Sequence, residues 1–256
     1  MSKYNWIPDT YSLTDVYVQD HPSFTLAAPS AVPSKVDLTK YCSPVFNQGQ
    51  IGSCTGNALV AAIEYLENKD KDFEKDGKFI HLSRLFVYYD ERMVEGTINV
   101  DGGAMIADGI KTLSQYGVCT EELWPYRENH FKDNPSDAAY TDAQTRKITA
   151  YARVNQDINS IKTTLASGYP IVFGFSVYDY FESESMAEFG DLSMPKSNEK
   201  LIGGHAVLAV GYDDSKQRVT VRNSWGEDWG QDGYFTMPYQ YISDASLARD
   251  FWTITK

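Results

Sequence analysis

The order of the hydrophobic patterns along the chain constrains the fold more than any other feature of the sequence. From about Cys54 to Tyr126 the apolar residues recur mostly with helical spacing. After one further helical segment come two apolar runs of strand length, "PIVFGFSVY" and "HAVLAVGY", and a stretch that alternates with period two, "QRVTVRN". A chain that is mainly helical first and mainly β later predicts an α+β fold of two lobes with a cleft between them.

The same patterns predict the domain organisation. Residues 1–33 contain four prolines and little periodicity, so we expect an extended N-terminal arm. Residues 34–256 form the folded domain, with a mainly helical lobe at about 46–146 and a mainly β lobe at about 147–256. Ser83 and Asp157 stand where helix N-caps belong. The polar stretch 127–147 is expected to connect the lobes. The segment "DDSK" (213–216) is expected to form the turn of a hairpin.

Composition excludes several classes of function. Hydrophobic residues make up 42% of the chain, enough for a sizeable core, and the net charge of -12 without a basic cluster argues against nucleic-acid binding. No apolar run is long enough to span a membrane. No metal-binding spacing and no glycine-rich phosphate loop occurs, so we expect neither a metal nor a cofactor. The chemistry then falls to side chains alone.

The N-terminus gives only a slight indication of where the protein resides. Its first residues, "MSKYNWIPDTYSLTDVYV", lack the apolar stretch of a signal peptide. A cytoplasmic location is slightly favoured, unless an export signal has been removed, and the compartment stays open.

Cys54 is the first candidate for chemistry. It follows a glycine-rich loop and stands where the helical pattern "CTGNALVAAIEYLENK" begins. A free thiol has a pKa of about 8.5, and the positive end of a helix favours its nucleophilic anion. The plain alternative is a small buried residue, which is what most free cysteines are.

His205 and Asn223 are the candidates that complete a site. His205 opens a strand after two glycines, and Asn223 ends the strand that returns after the hairpin. An antiparallel return brings the two close together in space. An amide beside an imidazole orients the ring without neutralising its charge, which suits an imidazolium paired with a thiolate.

Five segments, in this order, resemble the papain-like cysteine peptidases: "PVFNQGQIGSC", "DGGAMIADGI", "YGVCTEELWPY", "GGHAVLAVGY" and "RNSWGEDWGQDGYF". The resemblance runs from about Pro33 to the C-terminus. It implies the papain-like two-lobed fold, with a helical left lobe, a β-barrel-like right lobe and the active-site cleft between them.

The resemblance also implies a role for each matching residue. Cys54 becomes the nucleophile, His205 the general acid and base, and Asn223 the residue that orients it. Gln48 supplies an oxyanion-hole donor, and Trp225 shields the His–Asn contact. A substrate strand is expected at the following positions, around a roomy apolar pocket: Gly102, Gly103, Met105 and Gly204.

The implied activity is hydrolysis of peptide or protein substrates through a covalent acyl-enzyme, by an endopeptidase. Two alternatives stay open: a catalytically silent binding protein of the same fold, and an acyltransferase that uses the same triad. The arm is too short for the family's usual helical propeptide. It is either a strap packed on the surface or a segment that lies across the cleft and inhibits.

Overall fold

The computed structural model describes residues 4–70 and 79–256 of the chain. The first part of the molecule is helical, as its periodicity predicts. Helix α1 spans Cys54–Asp70, α2 spans Arg84–Glu95 and α3 spans Ile106–Gln115. Ser83 caps α2 by accepting the backbone N–H of Phe86, the predicted role. Every residue of α1 from Cys54 to Asn68 is buried, so α1 is the central helix of the fold.

A seven-stranded antiparallel sheet makes up the second part of the molecule, and two strands outside it pair with each other. Strands β1 (Trp6–Ile7) and β3 (Ala104–Met105) form the parallel pair. The strands of the large sheet are β2 (Lys35–Asp37), β4 (Ala150–Arg153), β5 (Ile171–Tyr178), β6 (Leu201–Asp213), β7 (Arg218–Arg222), β8 (Tyr234–Pro238) and β9 (Ala248–Thr255). Their order is β4-β9-β5-β6-β7-β8, with β2 added to β6.

The sheet and α1 share a core, and this sets the position of the cleft. One apolar cluster lies between α1 and the sheet, where side chains of α1 such as Leu59 and Ile63 meet Leu208 of β6. A second cluster fills the β lobe around Phe173, Phe175 and their neighbours. Helix α1 packs against β6, and the thiol of Cys54 at the start of α1 faces the backbone N–H of Ala206 on β6.

Short helices occupy the segments between the main elements. They are α4 (Asp137–Ala143), α5 (Ile158–Ala166), α6 (Glu184–Phe189) and α7 (Tyr239–Ser243). Asp157 caps α5 by accepting the N–H of Ser160, as its sequence predicts. Helix α4 lies inside the stretch expected only to connect the lobes, and it buries Ala139 and Ala143. Two small residues are too weak a periodic signal to have revealed it.

The sheet is open. Among the described residues its terminal strands, β4 and β8, do not pair with each other, so the β lobe is not a closed barrel. No described helix combines the length and the apolar character that a membrane span requires.

Candidate active site

Cys54 is the first residue of α1, and its thiol is fully buried. Tyr126 holds the loop in front of it. The Tyr126 hydroxyl donates to the carbonyl oxygen of Gln48 at 2.7 Å and lies 2.5 Å from the hydroxyl oxygen of Ser53. Asn57, one turn into the helix, donates to the carbonyl oxygen of Ser53 at 2.9 Å. The start of α1 is therefore anchored on both sides of the sulfur.

His205 and Asn223 meet because β6 and β7 are antiparallel. Leu208 of β6 pairs with Arg222 of β7, so Asn223, the next residue, returns opposite Val207, two positions from His205 along β6. His205 Nε2 and Asn223 Oδ1 lie 2.8 Å apart, and both residues are buried. Since an amide oxygen only accepts, Nε2 is the donor, and Nδ1 is the ring atom that can exchange a proton with the sulfur.

Trp225 lies over the His–Asn pair. Its ring centroid is 5.4 Å from that of His205, with an angle of 33° between the two planes. The shielding role expected of Trp225 stays a prediction.

Gln48 is buried and held at both ends of its amide. Ser224 donates its hydroxyl to Gln48 Oε1 at 2.6 Å, and Gln48 Nε2 donates to the carbonyl oxygen of Ile51 at 3.0 Å. The backbone N–H of Gln48 donates to the carbonyl oxygen of Ser224 at 2.8 Å. These contacts hold the amide nitrogen against the loop that leads to Cys54. Ser224 is a positioning residue that sequence reasoning missed.

The N-terminal arm lies in the cleft, in the place expected for a substrate strand. Strand β1 pairs with β3, with Trp6 opposite Ala104, and Asn5 forms a bridge to Gly204. A Cβ atom on Gly103 would lie 1.6 Å from the carbonyl oxygen of Asn5. Only glycine allows this approach, and Gly103 also has a φ of 79°, which other residues rarely adopt. Gly102 differs: the described atom nearest to its would-be Cβ is Val100 Cγ1, at 3.8 Å.

The indole of Trp6 packs against Gly174 and Gly204, and Gly204 is one of the positions around which the sequence predicts an apolar pocket. A Cβ on Gly174 would lie 2.0 Å from Trp6 Cε2, and one on Gly204 would lie 2.7 Å from Trp6 Cε3. Met105 lies next to the pocket, where it pairs with Ile7 of the arm. Gly174 was missed from the sequence, although an isolated glycine inside a strand pattern is a known sign of close approach.

Tyr4 covers the other side of the site. Its ring meets His205 edge-on at a centroid distance of 6.0 Å and Trp225 at 5.7 Å. Its hydroxyl donates to Glu182 Oε1 at 2.7 Å. Tyr4 and Trp6 thus flank Cys54, with Asn5 between them.

Burial under the arm changes the charge expected at Cys54. Desolvation raises the pKa of the thiol to about 11, although backbone N–H groups of Ala206 and Asn5 face the sulfur and oppose the rise. In the arm-covered state the thiol is therefore protonated at neutral pH, whereas the helix terminus alone predicts a thiolate. The reason is tertiary, because the water that would solvate an anion has been excluded.

The described residues include no group of three or more His, Cys, Asp or Glu side chains that could hold a metal ion. Cys42, Cys54 and Cys119 are all free, buried thiols. What the site contains is a thiol at a helix start, an imidazole held by an amide, and an oriented glutamine amide. A thiol, an imidazole and an amide gathered in a two-lobed α+β fold are the features of the class of cysteine hydrolases.

Comparison with known proteins identifies the family. The model of the papain family cysteine proteases matches residues 32–252, and the chain belongs to that family. An uncharacterized peptidase C1-like protein of Acanthamoeba polyphaga mimivirus is 45% identical over 216 residues, which cover 81% of this chain and 68% of that protein. Cathepsin B-like CP3 of Giardia intestinalis is 30% identical over 241 residues, which cover 84% of this chain and 71% of that protein.

Among solved structures, xylellain, a cysteine protease from Xylella fastidiosa, matches with a TM-score of 0.90 and 45% identity. The match covers 100% of this chain and 96% of that chain. The predicted papain-like two-lobed fold is thereby confirmed.

Proposed function

We propose that this protein is a cysteine endopeptidase in which Cys54, His205 and Asn223 form the catalytic triad and the N-terminal arm inhibits the enzyme. The observation that carries the proposal is the 2.8 Å contact between His205 Nε2 and Asn223 Oδ1, next to Ala206, whose backbone N–H faces the Cys54 sulfur at the start of α1. An imidazole held in this way can accept the thiol proton and return it to a leaving amine.

The reaction follows from these positions once the arm has left. Water and the positive end of α1 then lower the pKa of Cys54, and the thiolate attacks a peptide carbonyl. Gln48 Nε2 and the backbone N–H of Cys54 donate to the oxyanion. His205 protonates the leaving amine, and then takes a proton from the water that hydrolyses the thioester.

The path of the arm supports endopeptidase activity. Tyr4 lies on the His205 side of Cys54, and Trp6 and Ile7 lie on the Gly103 side. The cleft therefore accepts a chain that continues on both sides of the sulfur. An enzyme that removes terminal residues instead needs one end of its cleft closed.

Three features support the inhibitory role of the arm. It fills the apolar pocket with Trp6, it occupies the backbone pairing positions of β3, and it leaves the thiol fully buried. A substrate cannot bind before these contacts break. Of the two roles considered for the arm, inhibition is favoured over a surface strap.

The test is covalent labelling and peptide turnover with the full-length chain. An epoxysuccinyl inhibitor should add once per chain in the Trp6→Ala variant, and slowly or not at all in the parent protein. The adduct should be absent in Cys54→Ala. Turnover of a peptide library should rise in Trp6→Ala and yield internal cleavage. Leu13→Ala is the matched control, because Leu13 belongs to the arm but is fully exposed.

Three results would count against the proposal. Rapid labelling of the parent protein contradicts the inhibitory role of the arm. Labelling of Trp6→Ala without any cleavage supports the silent binding protein. Transfer of the acyl group to an added amine, in preference to water, supports the acyltransferase.

A further inference from the structure

The arm has a second anchor beyond the cleft, at Asp9. The Asp9 carboxylate accepts the indole N–H of Trp252 at 2.7 Å and the backbone N–H of Ala107 at 3.1 Å. The backbone N–H of Asp9 donates to Asp250 Oδ2 at 2.7 Å. Ala107 lies in the first turn of α3 and Trp252 lies on β9, so Asp9 joins the arm to both lobes.

This anchor places two buried carboxylates side by side. Asp9 is 5% exposed and Asp250 is 1% exposed. Two cations approach the pair: Arg249 Nε lies 3.8 Å from Asp250 Oδ1, and Arg153 has its shortest contact elsewhere, at 2.6 Å from Asp15. It lies 3.5 Å from Asp9 and 3.9 Å from Asp250. With the described residues, Asp250 Oδ1 makes no hydrogen bond.

Two carboxylates in this arrangement ionise together only at a high free-energy cost. Asp9 accepts two hydrogen bonds, which favour its charged form, whereas one oxygen of Asp250 accepts none. The proton is therefore held mainly by Asp250. Asp250 also has a φ of 60°, a backbone conformation that Asn adopts as readily as Asp.

We propose that Asp9 and Asp250 form a proton-linked latch that holds the arm in the cleft at acidic pH and loosens it as the pH rises. The docking of the arm is independent of catalysis, but the regulatory consequence rests on the proposed inhibitory role of the arm. The latch comprises Asp9, Asp250, Arg153 and Trp252.

The direction of the pH dependence follows from whether the docked or the undocked state binds the proton more tightly. Burial, and then the charge of Asp9, raise the pKa of Asp250 to about 6 in the docked state. Burial also raises the pKa of Asp9. When the arm leaves, Asp250 loses the Asp9 charge and its pKa falls toward the ordinary value of 3.8. Docking is then strongest below the pKa that Asp250 has when the arm is undocked. It weakens as the pH rises and levels off above the pKa of the docked state.

The shift of Asp250 sets the scale of the pH effect on docking. About two pKa units change the docking equilibrium by about 100-fold, and the raised pKa of Asp9 acts in the same direction. The other charged groups facing the pair leave the sign unchanged, because Lys111 is engaged by Asp108 at 2.7 Å and Arg249 approaches Asp250 only to 3.8 Å. The full set facing the pair is Asp15 on the arm, Glu95 on α2, Asp108 and Lys111 on α3, Arg153 on β4 and Arg249 on β9.

The experiment measures arm docking directly by amide hydrogen exchange in the full-length Cys54→Ala chain, which cannot cleave itself. Protection factors of residues 5–9, corrected for the chemical exchange rate at each pH, are recorded between about pH 4 and pH 8. We expect arm protection to fall by roughly 10- to 100-fold across this range and then to level off. Protection of β5, a central strand, reports the global stability at each pH and is the reference against which arm protection is compared.

The matched variants are Asp250→Asn and Asp244→Asn in the same background. Asn at position 250 keeps an acceptor for the Asp9 N–H but cannot ionise, so the pH dependence of arm protection should shrink to the part that Asp9 contributes. Asp244 is exposed, and its neutralisation changes the net charge equally while leaving the pH dependence intact.

A flat pH profile in the parent chain overturns the latch, whether or not Asp250→Asn folds. An undiminished pH dependence in Asp250→Asn overturns it as well. Peptide turnover by the chain that carries Cys54 is measured separately. Arm loosening without any turnover leaves the latch standing and overturns the proposed function.

Discussion

The indole of Trp6 occupies the space that Gly174 leaves open in β5, where a Cβ atom would lie 2.0 Å from Trp6 Cε2. The side chain is 8% exposed and belongs to the cluster between α1 and the sheet. An arm residue and the floor of the cleft therefore form one packing unit. Any change to the floor changes the docking of the arm.

Gly174→Ala should displace Trp6 and expose Cys54. Overpacking typically costs 1–3 kcal/mol, so we expect alkylation of Cys54 in the full-length chain to accelerate by roughly 10- to 100-fold. Intact-mass measurement after iodoacetamide treatment gives the rate. Trp6→Ala should produce a similar acceleration, and the double variant no more than Trp6→Ala alone, because both changes act on one contact. A folded Gly174→Ala chain that reacts no faster than the parent would show that the contact does not hold the arm.

Gln48→Ala, in the Trp6→Ala background, should reduce kcat by about 10²–10³-fold, because one oxyanion donor is lost. Alkylation of Cys54 should keep its rate, since that reaction forms no oxyanion. Ser224→Ala removes the hydroxyl that orients Gln48 and should give a smaller loss of kcat of the same kind. Equal losses in turnover and in alkylation would instead indicate damage to the nucleophile loop.

Asn223→Ala, in the same background, should reduce kcat by on the order of 10²-fold with little effect on KM. The His205 ring loses the partner that sets its orientation, and misplacement of a catalytic group has a cost of this order. Steady-state kinetics separate the two parameters. Asn159→Ala, on the exposed side of α5, is the control and should behave like the Trp6→Ala parent. An unchanged kcat in Asn223→Ala would remove Asn223 from the triad.

Asp90→Asn should stabilise the protein at alkaline pH. Asp90 is 1% exposed and accepts a hydrogen bond from the hydroxyl of Tyr140 at 2.7 Å. Burial raises the pKa of Asp90 to about 7. Because the folded state holds this proton more tightly, stability is greatest below the unfolded pKa and falls as the pH rises toward about 7. The free energy of unfolding decreases by at most about 4 kcal/mol over this pH range.

Asparagine removes the titration but still accepts from Tyr140. Thermal unfolding at about pH 4 and pH 8 measures the effect: the variant should match the parent at acidic pH and exceed it at alkaline pH. Equal unfolding temperatures of the two proteins at both pH values would show that Asp90 is not protonated in the fold.

Much of the fold was predictable because its signals are local. Ser83 and Asp157 cap helices through side-chain contacts three residues away, and the apolar runs at β5 and β6 are strands because their composition favours them. Helix α4 was not predicted, since Ala139 and Ala143 contribute little to a periodic pattern.

The sequence by itself determined the main helices, the strands β5, β6 and β7, the family, and the candidate residues Cys54, His205 and Asn223, because each depends on residue type, spacing and order. Only the tertiary structure decided that Asn5 and Trp6 lie in the cleft. Their partners, Gly204 and Gly174, are more than 150 residues away in the chain, and no local pattern records such a contact.

The charge of Cys54 was decided in the same way. A helix start favours a thiolate, but the excluded water raises the thiol pKa to about 11. Water is excluded by segments that meet only after folding, so protonation of the sulfur, and of the Asp9 and Asp250 pair, is a property of the packed molecule.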